Sequence, residues 1–352
     1  MELTDYLRMI TPPDTSIVAQ TQEKLDNLTK PVGSLGRLEE LALHLSTITG
    51  SHHPPLEHRR VFVMAGDSGI VDEGVSAYPQ EVTPQMVFNF LNGGAGINAL
   101  SRTGGFEITI VDMGIATDIA TNHPGFVNRK IAYGTKNFAR EQAMTRAEAE
   151  ASIVAGIEVV MESHAARPLH LAATGDMGIG NTTPSSAIIA AITGAPVADV
   201  TGYGTGLDDR GLSKKITVIE AALDLHRPNP GDALGVLAAV GSFEIGGIAG
   251  VILGSAALKV PVIVDGFISQ AAALIATTLV PEARSYIIPS HRSVEKGSRV
   301  AWGHLGLRPY LSLDMRLGEG TGAVLMGPLI DASMRMLNEM ASFADAGVSG
   351  KQ

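Results

Sequence analysis

Apolar positions along the chain fall into short unbroken runs separated by longer mixed segments. The runs are Arg60–Met64 (RVFVM), Phe106–Val111 (FEITIV), Leu169–Ala173 (LHLAA), Val260–Val264 (VPVIV) and Tyr286–Ile288 (YII). Runs that are continuous rather than alternating predict strands buried on both faces, as in a parallel sheet. The segments between them predict helices over Thr83–Ser101, Ala139–Ser163, Ser185–Thr193, Leu212–Leu225, Ser242–Leu258 and Ser293–Leu305. This succession predicts an α/β fold: a doubly wound, mostly parallel sheet with helices on both faces.

The two ends carry no strand run. Residues 16–49 read as helical, broken at Lys30-Pro31-Val32-Gly33. Ala323–Phe343 reads as a helix with Leu325, Leu329, Met336, Leu337 and Met340 as its apolar positions. Together they predict a small helical subdomain from both termini, 1–58 and 319–352, beside a sheet domain over 59–318. Ala346 to Gln352 are expected to fray. The most membrane-like stretch, Ile245–Val264, contains Lys259 and Pro261 and reads as a buried helix followed by a core strand.

Small or acidic residues follow each predicted strand: Ala65-Gly66-Asp67, Asp112-Met113-Gly114, Thr174-Gly175-Asp176, Asp265-Gly266 and Pro289-Ser290-His291. In an open parallel sheet, that is where a ligand crevice forms. A net charge of -10 argues against nucleic acid or an anionic membrane as a partner. The absence of cysteine removes disulfide, thiol and thiolate-metal chemistry and fits a cytoplasmic protein. No signal peptide is expected from Met1-Glu2-Leu3-Thr4-Asp5.

Four segments can carry chemistry. Gly175-Asp176-Met177-Gly178-Ile179-Gly180-Asn181-Thr182-Thr183-Pro184 leads from a strand to a helix start, so its N–H groups can face an anion. It lacks the lysine of a nucleotide phosphate loop and the spacing of a dinucleotide fingerprint. Gly202-Tyr203-Gly204-Thr205-Gly206 is a second glycine loop, followed by Lys214-Lys215, of which Lys214 reads as solvated. Ala65–Gly69 leads into Ser76–Met86, where an aromatic ring, prolines, amides and a methionine can line a flat heteroaromatic pocket. The same residues also read as a loop, an N-cap at Thr83 and Pro84 in the first turn. Finally, Leu317-Gly318-Glu319-Gly320-Thr321-Gly322-Ala323 sets one carboxylate among glycines and apolar neighbours. Such a carboxylate suits a general base, but taken alone it reads first as a favourable charge in the first turn of a helix. His52-His53 has no i, i+4 partner, no metal site is expected, and His291 reads equally as a substrate contact or a structural residue.

In this order, Lys30–Glu39, Ala65–Gly69, Tyr78–Met86, Gly175–Pro184, Gly202–Gly206 and Leu317–Ala323 resemble the nicotinate-nucleotide:dimethylbenzimidazole phosphoribosyltransferase family. The resemblance spans nearly the whole chain. It implies an α/β domain with a helical subdomain from both termini, a homodimer, and no cofactor. It implies transfer of phosphoribose from nicotinate mononucleotide to dimethylbenzimidazole, for the lower ligand of cobalamin. Glu319 would be the catalytic base. A benzimidazole pocket is implied near Ser76, Gln80, Gln85 and Met86. Further substrate contacts are implied at Asp176, Met177, Gly178, Asn181, Thr182, Gly204, Lys215, Ser293, Leu317 and Gly318. Asp176 departs from the pattern: Glu, one methylene longer, is usual there. Two other classes stay open on the residues alone. A dinucleotide-dependent oxidoreductase would need a glycine fingerprint after the first strand, which Ala65-Gly66-Asp67-Ser68-Gly69 does not provide. A non-catalytic nucleotide-binding protein is the other.

Overall fold

A computed structural model describes residues 1–349. The five apolar runs become strands and a sixth joins them: β1 (Arg59–Gly66), β2 (Phe106–Gly114), β3 (Phe126–Asn128, the addition), β4 (Leu171–Met177), β5 (Val262–Val264) and β6 (Ile287–Pro289). All pair in parallel, in the order β3-β2-β1-β4-β5-β6. The chain leaves β1 for β2 on one side and returns with β4 on the other. The resulting topological switch point lies between β1 and β4, so the crevice belongs at their carboxyl ends.

Alternate residues of each strand face opposite layers. Phe62, Met64, Val111, Met113, Ala172, Val262 and Val264 join one hydrophobic cluster with the helices Arg146–Ala166, Thr182–Thr193, Ala233–Val240, Phe243–Ala257 and Phe267–Leu279. Val61, Val63, Ala65, Ile110, Leu171, Ala173, Ile263 and Ile288 join the other with the helices Arg37–Thr49, Val82–Leu91, Gly96–Gly104 and Gly327–Glu339. The helices from the two termini therefore meet on one sheet face, where the backbones of Leu28 and Ser342 also pair. The N-terminal helix Leu3–Arg8 instead packs on the opposite face, with Leu3 and Tyr6 in the first cluster.

Several boundaries differ from the sequence reading, for identifiable reasons. β4 starts at Leu171, two residues after the predicted start, and runs on through Gly175, Asp176 and Met177, because its partner β1 continues to Gly66. The predicted helix Thr83–Ser101 is two helices, Val82–Leu91 and Gly96–Gly104, interrupted at Asn92-Gly93-Gly94-Ala95, where Gly93 is left-handed. Thr83 is no N-cap: it lies inside the first turn, and its hydroxyl accepts from the Ile179 N–H at 3.1 Å. The helix predicted over Ala139–Ser163 begins only at Arg146, where Thr145 caps it. The predicted start at Ser293 moves to Gly297. The C-terminal helix splits into Thr321–Val324 and Gly327–Glu339, with Pro328 in the first turn of the second. Among the elements that escaped prediction are the three-residue strand β3 and the helices Leu3–Arg8, Val197–Val200, Ala233–Val240 and Phe267–Leu279. Phe243–Ala257 and β5 occupy the membrane-like stretch, and no helix of the described residues is long and apolar enough to cross a membrane. Ala346 lies in a turn, and Gly350 to Gln352 lie outside the described residues.

Candidate active site

At the carboxyl ends of β1, β4, β5 and β6 lies a cleft of about 430 Å³. Of the anticipated site residues, Met86, Asp176, Met177, Gly178, Asn181, Thr182, Gly204, Ser293, Leu317, Gly318 and Glu319 line it. Lys215 lies just behind the wall. Ser76, Gln80 and Gln85 are not among the lining residues; their segment contributes Tyr78, Val82 and Met86 instead.

Glu319 occupies an unusual backbone turn. Gly318, Glu319 and Gly320 have φ values of 81°, 61° and 91°, three left-handed residues in succession. Glycine adopts this conformation freely, whereas Glu319 carries a strain of ~1–2 kcal/mol that its surroundings must hold. They do so by close backbone contact: a Cβ on Gly175 of β4 would lie 2.5 Å from the Glu319 carbonyl oxygen. Thr321 closes the turn, its hydroxyl donating to the Gly318 carbonyl at 2.8 Å. Asp265, after β5, anchors the next residues by accepting from the Ala323 N–H at 2.9 Å.

The Glu319 side chain is buried and does not sit in the first turn of its own short helix, which Gly320 caps. Its Oε2 accepts instead from the Ile97 N–H at 2.9 Å, at the start of the helix Gly96–Gly104. Burial raises its pKa, the Ile97 bond opposes that, and Asp265 adds to the rise. The outcome is a carboxylate held in one position and more basic than a solvated one.

Asp176, at the end of β4, faces the same cleft, with its carboxylate 3.1 Å from the Cβ position of Gly318. The Asn181 side-chain amide donates to it at 3.0 Å. Burial first, then the field of Asp265, pushes it up to about 7. Glu244, at the start of the helix Phe243–Ala257, lies fully buried beyond Gly178. Its Oε1 accepts from the Ser242 hydroxyl at 2.6 Å, while its Oε2 has no hydrogen-bond partner among the described residues. Burial pushes Glu244 up to about 8. A lone acid in an apolar helix gives no sequence cue of this kind.

Another part of the wall gathers cationic groups beside the buried Glu295. The turn Gly178–Asn181 leads into the helix Thr182–Thr193, whose first-turn N–H groups provide positive potential. Lys215 is fully buried and donates to the Thr182 hydroxyl at 2.6 Å, close beside Gly204. Burial lowers its pKa to about 8, which Glu295 partly opposes. Arg316, which sequence reasoning passed over, lines the cleft and donates to the Gly204 carbonyl at 3.2 Å. Lys214 is exposed, as read from the sequence.

After β1, where a dinucleotide fold would turn into a phosphate-binding helix, the chain forms a short 3₁₀ turn, Gly69–Glu73. Asp67 is buried there and accepts from the Ala116 N–H at 2.8 Å. No dinucleotide cradle exists at that position. The arrangement can instead hold an anion at the Lys215 end, a flat ring between Tyr78, Met86, Met177 and Leu317, and a base at Glu319.

Residues 10–348 match a family model described as Phosphoribosyltransferase. A nicotinate-nucleotide–dimethylbenzimidazole phosphoribosyltransferase from Chloroflexus aggregans is 55% identical over 99% of both chains. One so named from a Geobacter species, strain M21, is 55% identical over 99% of this chain and 100% of its own. The crystal structure of CobT from Thermus thermophilus superposes with a TM-score of 0.91 at 45% identity, covering 95% of this chain and 99% of that one.

Proposed function

Given that the chain belongs to the nicotinate-nucleotide:dimethylbenzimidazole phosphoribosyltransferase family, we propose that Glu319 is the base of its reaction and the surrounding cleft its active site. The protein is a phosphoribosyltransferase of cobalamin synthesis, taking phosphoribose from nicotinate mononucleotide to dimethylbenzimidazole. The observation that carries the assignment of Glu319 is its side chain: buried, pinned by the Ile97 N–H, and lining the cleft.

The acceptor has two ring nitrogens. One attacks the anomeric carbon while Glu319 takes the proton from the other. The bond from that carbon to the nicotinate nitrogen breaks, and its electron pair neutralises the pyridinium. The leaving group needs no proton, so no general acid is required. Attack opposite to the departing β-nicotinate inverts the carbon and gives α-ribazole 5′-phosphate without a covalent intermediate.

Lys215, the Thr182 hydroxyl, Gly204 and the first turn of Thr182–Thr193 are suited to the 5′-phosphate. Apolar faces of Met86, Met177 and Leu317 suit the benzimidazole ring. Holding two substrates in line supplies most of the acceleration. Pockets of this kind discriminate a single methyl by only ~1–3 kcal/mol, so related bases should also react. The reading includes a homodimer, which sedimentation of the full chain tests.

Incubating the protein with both substrates tests the function. Nicotinate should be released together with a product of α configuration, read by proton NMR of the anomeric hydrogen. A β product, or hydrolysis alone, contradicts the in-line scheme.

A further inference from the structure

We propose that His291 is the specificity-determining residue of the donor site: its Nε2–H binds the carboxylate of the nicotinate ring and selects nicotinate over nicotinamide nucleotides. The inference rests on the donor reading above and extends it to one side chain.

The lining of the cleft divides into three parts. Thr182, Gly204 and Arg316 gather in one part, with Lys215 behind them, where they suit a phosphate. Glu319 and the apolar side chains Met86, Met177 and Leu317 form the acceptor part. Among the other lining residues, which include the acids Asp176 and Glu295, Gly266, Phe267, Ile268 and His291 make a third lobe. A pyridine ring needs an apolar slot, which Phe267 and Ile268 offer. Its carboxylate needs donors, because a buried carboxylate without partners is costly.

His291 supplies one. The residue is 2% exposed, yet it lines the cleft. The imidazole is fixed on three sides. Its Nδ1 lies 3.0 Å from the Ser290 hydroxyl and 3.8 Å from the Asp265 carboxylate. Its backbone carbonyl accepts from the Trp302 indole at 3.2 Å. The ring edge packs against Gly266 and Gly322, where no side chain could fit without displacing it. Nε2 has no hydrogen-bond partner among the described residues and lies 3.3 Å from the Cβ position of Gly266, itself a lining residue.

The Nδ1 contacts allow the tautomer that the proposal requires. When the Ser290 hydroxyl donates to Nδ1, the ring proton resides on Nε2 and is offered to the lobe; the other neutral tautomer, with Nδ1 donating, would leave Nε2 an acceptor. Gly266 is also the N-cap of the helix Phe267–Leu279, whose first-turn N–H groups lack intrahelical partners and favour an anion beside them. A carboxamide in place of the carboxylate presents only one acceptor and no charge, so it forfeits the charge-assisted bond.

The test compares donors. Wild type, His291→Phe and His291→Gln are assayed with nicotinate and nicotinamide mononucleotide at saturating dimethylbenzimidazole. The ratio of kcat/KM for the two donors should fall roughly 10- to 100-fold in His291→Phe, as expected for a lost bond to a charged group. His291→Gln, which keeps a donor, should recover much of the ratio. An unchanged ratio overturns the proposal, as does a selective loss in Arg316→Met rather than His291→Phe. Failure of wild type to use either donor would instead overturn the functional reading itself. A crystal structure of wild type with nicotinate gives a variant-free answer: a carboxylate oxygen within hydrogen-bond distance of Nε2 supports the assignment, and one turned away from His291 defeats it.

Discussion

The Ile97 N–H and the Glu319 carboxylate meet at 2.9 Å, so the start of one helix holds a base that belongs to a distant turn. Gly96 makes this possible. A Cβ there would lie 3.1 Å from Glu319 Oε2 and 2.9 Å from a Leu317 methyl. The larger side chain of Gly96→Val should therefore push the carboxylate out of line. Because small misplacements of a catalytic group are expensive, kcat should drop about 100-fold. Steady-state kinetics check this, alongside a thermal midpoint showing that the fold persists.

Lys215 reaches the Thr182 hydroxyl from a fully buried position. In Lys215→Met the methionine keeps the length and loses the charge. KM for nicotinate mononucleotide should rise roughly 10- to 100-fold, with a smaller change for dimethylbenzimidazole. Initial-rate measurements with each substrate varied in turn separate the two effects.

The buried acids make stability depend on pH. Burial lifts Asp176 from 3.8 to about 7 and Glu244 from 4.5 to about 8. The folded chain therefore retains protons that the unfolded chain releases. Stability from these groups is fully present below the unfolded values and is lost as pH rises through the folded ones. Glu244→Gln is neutral at every pH and removes one of these losses. Its thermal midpoint should decline less than that of wild type between about pH 5 and about pH 9. Parallel curves for the two proteins would contradict the account.

The sequence carries much of this, unevenly. The five runs of apolar residues all became strands because parallel sheet interiors demand such runs. β3 escaped because three edge residues are too few to form a pattern. Ala233–Val240 is apolar on every side, and Phe267–Leu279, whose Ser269 and Gln270 are buried, has no exposed face, so neither shows the half-solvated pattern of a surface helix. In β4, Gly175 and Asp176 looked like a loop, but the strand needs glycine there to admit the Glu319 turn. Of the site, the glycine segments and Glu319 were legible in their local residue patterns. His291 was noticed but its role stayed open, and Arg316, Glu295 and Glu244 were missed, since their meaning comes from neighbours far away in sequence.

The most direct test of the central claim is Glu319→Gln, measured for turnover, for substrate binding and across pH. The carboxylate must be ionised to accept the proton, and its pKa is raised, mainly by burial. Wild-type kcat/KM should therefore fall with decreasing pH at a point above the ordinary carboxylate range. The variant should lose roughly 100- to 10,000-fold in kcat, as expected for removing a general base, while both substrates still bind. Turnover undiminished in Glu319→Gln, with the acid limb of the pH profile intact, would contradict the assignment of Glu319 as the base.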